Sequence, residues 1–385
     1  MIFCINCKTD IKKKMDTLLT KCHYKDYSQL IEVAIENLWI LEHEVAEKGA
    51  LFIDGGWSSQ NKLSGRLQSD KKRPINPLTP TPITSRPNKA ARAPLASPTP
   101  PPTHIPELFL SEGLADLSCN TIELPQMEVL EETFTLDRWL FGQYNKLLPI
   151  KANCRAMVRL TTGQKNGVLL ETLSTQIAEA AQFLGDFLAD HDLRHNIDRD
   201  EALATAFPHS GSGVEKSRTR YANQFVGSIN SQKALSGLLW DYRLIGLTLE
   251  NGPRLLPTEK AILFAQLTNP ILDGCQTTPA QKFSKEETTF LLEHIRSCVP
   301  VEAFTFQTLI KAVADGADTP DKLDESLRSL IPNETNRSLS PSFLTSQRSG
   351  ALSRMADLGL ISRQRKGVRV LYVITDLGYN FRRSL

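Results

Sequence analysis

The side chains of this sequence best suited to chemistry are cations and short polar groups, not nucleophiles. Arg363, Arg365, Lys366 and Arg369 lie within one stretch of seven positions near the carboxyl end. Arginine offers a two-pronged donor to phosphate oxygens, and lysine a point charge. Just upstream stand Ser342, Thr345, Ser346, Gln347 and Arg348, whose hydroxyls, amide and guanidinium are the donor types that address base edges. Phosphate gripping beside base reading is the chemistry of nucleic-acid binding. A sparser set of cations, Lys216, Arg218, Arg220, Lys233 and Arg254, lies earlier in the chain.

Catalytic patterns are weaker. His191 and His195 stand four residues apart, as helical metal ligands do, but no third ligand accompanies them. Asp190, Asp192, Asp198 and Asp200 lack the strand and downstream Glu-x-Lys of a magnesium nuclease. Cys4-x-x-Cys7 is half of a zinc ribbon site. Cys22 and His23 are adjacent and chelate one ion poorly, and a partner pair is missing. Gly211-Ser212-Gly213 is not followed by Gly-Lys-Ser/Thr and reads as a turn. No nucleophile elbow, Walker loop or dinucleotide fingerprint is present. The expectation is a protein that is not an enzyme and needs neither cofactor nor metal.

Charge points the same way. The net charge of +2 conceals an asymmetry: residues 61 to 105 carry +7, residues 341 to 385 carry +6, and residues 106 to 340 carry −9. Two basic segments on an acidic body suit local contact with a polyanion. Seven cysteines at irregular spacing do not form a disulfide framework and suit a reducing cytoplasm. No apolar run reaches the roughly twenty residues of a membrane span, and no secretory leader is evident at the amino terminus.

The elements that must position these groups fall into four regions. Residues 1–48 read as a short strand from Ile2 to Cys7 and two helices, the second capped by Ser28. Residues 49–106 form a basic, proline-rich and disordered tether, since half of the 22 prolines lie between Pro74 and Pro106 and proline removes donors from helices and ladders. Residues 107–275 read as a helical domain. One helix is expected over residues 133–148, with Leu136, Leu140 and Tyr144 on one face, and another after Ser174 as its cap. Residues 280–385 read as a helix starting at Ser340-Pro341 and ending at Gly359. Two strands with a turn at Lys366-Gly367 follow, and a last helix begins near Thr375. Helices are expected upstream over FSKEETTFLLEHIRSCV and FTFQTLIKAVAD, with TPDKLDESLRSLIPNETN as an insertion. The fold class expected is mainly α with small β-hairpins (α+β).

The run helix, Leu-Gly-Leu-Ile, basic hairpin, Thr-Asp-x-Gly resembles the end of a winged helix-turn-helix domain. That resemblance implies a recognition helix in the major groove and a wing on the backbone. Residues 231–264 resemble a second, degenerate copy. Ala234-Leu235-Ser236 matches Ala351-Leu352-Ser353, Asp241 matches Asp357, Leu244-Ile245 matches Leu360-Ile361, and Thr258 matches Thr375. The amino-terminal region resembles the ribbon-helix-helix family, which implies a homodimer and places Asn6 and Lys8 on a DNA-facing ribbon. The function implied is that of a prokaryotic double-stranded DNA-binding protein, a transcriptional regulator or mobile-element accessory factor. The alternative is a non-catalytic DNA-binding subunit of a replication, partition, transposition or phage-defence complex. Tandem winged helices also resemble plasmid replication initiators.

Overall fold

A computed structural model describes residues 50–53, 56–59, 102, 104–125, 134–198, 201–211, 213–230, 234–274, 282–329, 340–366 and 369–383. The side chains of residues 50–59, Asp137 and Lys366 are outside that description. So are the expected amino-terminal module with Asn6 and Lys8, the Cys4-x-x-Cys7 pair, most of the proline-rich tether, and Lys233. The chain divides into two compact units, residues 1–98 and 99–385. In the first, β1 (Ala50–Ile53) and β2 (Gly56–Ser59) form an antiparallel hairpin.

The second unit is mainly helical, with small antiparallel sheets. Its first half contains α1 (Leu148–Thr161), β3 (Val168–Leu169), α2 (Leu170–Arg194), α3 (Val214–Tyr221), β4 (Ser228–Ile229), β5 (Leu235–Ser236), α4 (Leu238–Asp241), β6 (Ile245–Thr248), β7 (Arg254–Pro257) and α5 (Glu259–Gln266). Strands β3, β7 and β6 make one antiparallel sheet in that order. Its second half contains α6 (Lys285–Cys298), α7 (Pro300–Ala314), α8 (Pro320–Arg328), α9 (Pro341–Asp357), β8 (Ile361–Lys366), β9 (Arg369–Ile374) and α10 (Asp376–Arg383). The Tyr372 amide donates to the Asp318 carbonyl at 2.8 Å. This gives β9 a neighbour just ahead of α8, as β3 is a neighbour of β7 just ahead of α2.

The end of each half is built by the same hydrogen bonds. Helix α9 closes with Gly359 at φ 71°. There the Leu360 amide reaches Met355 O at 2.9 Å and the Gly359 amide reaches Ala356 O at 3.0 Å, a Schellman closure. Helix α4 closes with Arg243 at φ 55°, and Leu244 and Arg243 reach Leu239 O at 2.9 Å and Trp240 O at 2.8 Å. Thr375 then bonds back to Leu360 O through its amide (3.1 Å) and its hydroxyl (3.1 Å). Thr258 does the same to Leu244 O (2.9 and 3.2 Å). The matches of Asp241, Leu244-Ile245 and Thr258 are therefore equivalent in geometry.

The Ala234-Leu235-Ser236 match is not. Leu235 and Ser236 lie in β5, and only one helical turn precedes Asp241. Gly237 stands at φ 126°, where a Cβ would lie 2.8 Å from the Gly227 Cα. That close backbone approach leaves no room for a longer helix.

Three further expectations are corrected. The stretch TPDKLDESLR, expected as part of an insertion, forms α8, with Pro320 in the first turn and Leu323 and Leu327 fully buried. The Thr319 hydroxyl caps it, accepting the Lys322 amide at 3.4 Å. The pair of helices directly ahead of α9 is thus α7 and α8. Residues 134–148 hold only a 3-10 turn, Leu136–Arg138, before α1 begins. Tertiary contact overrides their helical pattern, because the turn at Gly142 is wedged against α9 at Ser346 and Gly350. Ser174 is not a cap, since α2 begins at Leu170 and the Ser174 hydroxyl donates to Glu171 O at 3.2 Å.

Buried charge joins the two halves. Arg354 and Glu302 are both fully buried; Arg354 Nε and Nη2 donate to Glu302 at 2.5 and 2.9 Å. Arg354 Nη1 also donates to Tyr144 O at 2.6 Å, and the Tyr242 hydroxyl donates to Glu302 at 3.1 Å. Asp357 accepts from the Leu147 amide at 3.0 Å and from Lys282 Nζ at 2.7 Å. Its counterpart Asp241 accepts from the Tyr144 hydroxyl. Burial raises the Asp241 carboxyl to about 7, against the pull of Tyr144 and Arg354. The segment from Tyr144 to Leu147 is thus held by the closing aspartate of each half. Inside the first half, Arg155 forks onto Asp273 at 2.7 and 2.7 Å. Between the halves, Lys151 pairs with Glu287 of α6 at 3.0 Å, and burial lowers the Lys151 amine to about 8 despite Glu287 beside it.

Candidate nucleic-acid interface

The hairpin of β8 and β9 carries the densest cations. Its register sets Ile361 opposite Ile374, Arg363 opposite Tyr372, Arg365 opposite Val370, and Lys366 opposite Arg369. Side chains alternate across a strand, so the cations divide between two faces. Arg363 and Arg365 share the face whose base is anchored by buried Ile361, Tyr372 and Ile374. Arg369 and the Lys366 position share the other face with Ser362, Gln364 and Val373. Arg363 is half-buried and its Nε has no hydrogen-bond partner. Arg365 and Arg369 are exposed.

Helix α9 starts as its residues dictate. The Ser340 hydroxyl accepts the Phe343 amide at 3.2 Å and Pro341 occupies the first turn. The polar residues expected to read bases separate on it. Ser342 is half-buried, with its hydroxyl 3.3 Å from that of Ser340. Thr345 is exposed and donates to Asp324 at 3.3 Å. Ser346 is half-buried against Gly142. Gln347 and Arg348 are buried, at 4% and 5% exposure. Arg348 donates through Nε and Nη2 to Asp324 on α8 at 2.6 and 3.3 Å. It positions α8 against α9 and does not face solvent. Sequence reasoning missed Asp324 because it lay in the supposed insertion. Replacing Arg348 by alanine is therefore expected to lower stability by about 2–4 kcal/mol, through an uncompensated, largely buried carboxylate. Denaturant melts of the variant and of Asp324→Asn test this. A variant as stable as the parent would refute it.

The upstream cations do not converge. Lys216 and Arg220 are exposed on α3. Arg218 donates to Gln182 at 2.7 Å and to Glu215 at 3.1 Å. Arg254 donates to Gly167 O at 2.9 Å and ties the loop before β3 to β7. The one-turn α4 buries Leu238 and Leu239 and offers no helix to a groove. Among the described residues no group of three or more His, Cys, Asp or Glu side chains can hold a metal ion, and no helix is long and apolar enough to cross a membrane.

No protein-family model matches the chain, and neither a curated protein nor a solved structure matches it.

Proposed function

We propose that the chain is a double-stranded DNA-binding protein of the winged helix-turn-helix kind. Its α9 lies against the duplex, and the β8–β9 hairpin serves as a wing on the phosphate backbone. The run of α9, the turn at residues 358–361, the basic β8–β9 hairpin and α10 after Thr375 supports the resemblance to the winged-helix family. The observation that carries the reading is the hairpin itself, where Arg365 and Arg369 are exposed and Arg369 faces Lys366 across the ladder. The first half is a degenerate copy that acts as scaffold. The amino-terminal module and the basic tether add a homodimer contact and nonspecific phosphate contacts.

Arg365→Ala with Arg369→Ala is expected to weaken binding to every duplex alike and to reduce the slope of log affinity against log salt by about 2, roughly 0.9 per lost phosphate contact. Mobility shifts across a salt series measure it. Unmodified protein that shifts no duplex at low salt would remove the reading.

The second reading, a subunit of a larger replication, partition, transposition or phage-defence assembly, draws on exposed apolar side chains near the carboxyl end. Val373 on β9 and Leu377 and Tyr379 on α10 are 39%, 38% and 43% exposed, apolar side chains that a protein partner would cover. Affinity purification of the full chain from its native host separates the two readings. A stoichiometric ATPase or nuclease favours the subunit, and its absence with promoter occupancy favours the regulator.

A further inference from the structure

Helix α9 has three faces. Leu344, Arg348, Ala351, Leu352 and Met355 point into the core. Ser346, Gly350 and Arg354 meet the segment from Gly142 to Tyr144. A Cβ on Gly142 would lie 2.5 Å from Ser346 O, one on Gly350 would lie 2.2 Å from Gly142 O, and Arg354 holds Tyr144 O. The remaining strip is Ser342, Thr345 and Ser349, with Ala356 one residue from the helix end. Base identity in the major groove is read by bidentate pairs, namely arginine or lysine on guanine, asparagine or glutamine on adenine, and carboxylates on cytosine. The open strip carries none of these. Its hydroxyls serve phosphates or any base, because a hydroxyl both donates and accepts. Gln347 and Arg348, the residues with a discriminating code, are turned inward.

We infer that α9 docks on duplex DNA as a sequence-indifferent contact, reading backbone and groove shape and not base identity. This inference rests on the DNA-binding reading. The test uses the full chain and a pool of random duplexes. In the Ser342→Ala, Thr345→Ala, Ser349→Ala variant the ranking of bound sequences is expected to stay within about three-fold of the parent's, whereas loss of a base-reading contact shifts it by about ten-fold or more. In a Ser349→Glu variant, binding to all duplexes is expected to fall by about ten-fold, because a carboxylate is set against phosphates. A re-ranked pool from the triple variant overturns sequence indifference. Unchanged affinity in Ser349→Glu overturns docking through α9. If the unmodified chain binds no duplex, the DNA-binding reading itself fails.

Discussion

Replacing Arg354 by methionine is expected to destabilise the protein by about 3–5 kcal/mol, the cost of stranding one member of a buried ion pair. Arg354 and Glu302 are both at 0% side-chain exposure, so water cannot replace the lost guanidinium. Three acceptors lose their donor at once, namely both Glu302 oxygens and Tyr144 O. The Tyr242 hydroxyl, 3.1 Å from Glu302, covers only part of that charge. A chain with Arg354→Met and Glu302→Leu together is expected to regain most of the loss, since apolar side chains of similar volume substitute well for a buried pair. Urea unfolding of the single and double variants measures the coupling. A single variant within about 1 kcal/mol of the parent would contradict a functional ion pair at this position.

Gly350→Ala is expected to be destabilising as well, against the usual sign. In a helix interior alanine is favoured over glycine by about 1 kcal/mol. Here the added methyl would sit 2.2 Å from Gly142 O and 2.8 Å from Gly142 C. The neighbour is backbone, so it cannot swing aside. It belongs to a segment pinned by Tyr144 O and the Leu147 amide. Parting helix and segment is expected to cost about 2–4 kcal/mol net, in the range of overpacked cores. Gly316 at φ 100° has nothing within 4 Å of its Cβ position. Gly316→Ala is therefore the control for backbone strain without collision. Thermal melts that place Gly350→Ala at or above the parent would remove the tight crossing of α9 and the 142 segment.

Local signals in the sequence were reliable where the structure is locally determined. Ser340-Pro341, Gly359 and the alternation from Ile361 to Ile374 each act through neighbours a few residues away, and the helix, its end and the hairpin were legible from them. What depends on distant partners was not. Arg348 and Arg354 find their carboxylates 24 and 52 residues away, and Arg155 finds Asp273 across 118 residues. In sequence such cations look like solvent or ligand contacts. Helix α8 was hidden by its polar composition; two leucines four apart sufficed once α9 covered them. The segment around Gly142 shows the converse, a helical pattern defeated because a turn whose backbone lies directly against Ser346 and Gly350 is what fits beside α9. Gly350 was the available clue, since a glycine inside a helix that pays no evident return often marks a close backbone neighbour.

The grip of Asp241 and Asp357 on one short stretch of chain bears on modularity. A fragment spanning residues 282–385 would carry Arg354 without its Tyr144 acceptor and Asp357 without its Leu147 donor. Grafting that half onto an unrelated protein would expose unanswered polar groups on what had been dry surface. The two halves are therefore expected to exchange poorly as separate building blocks.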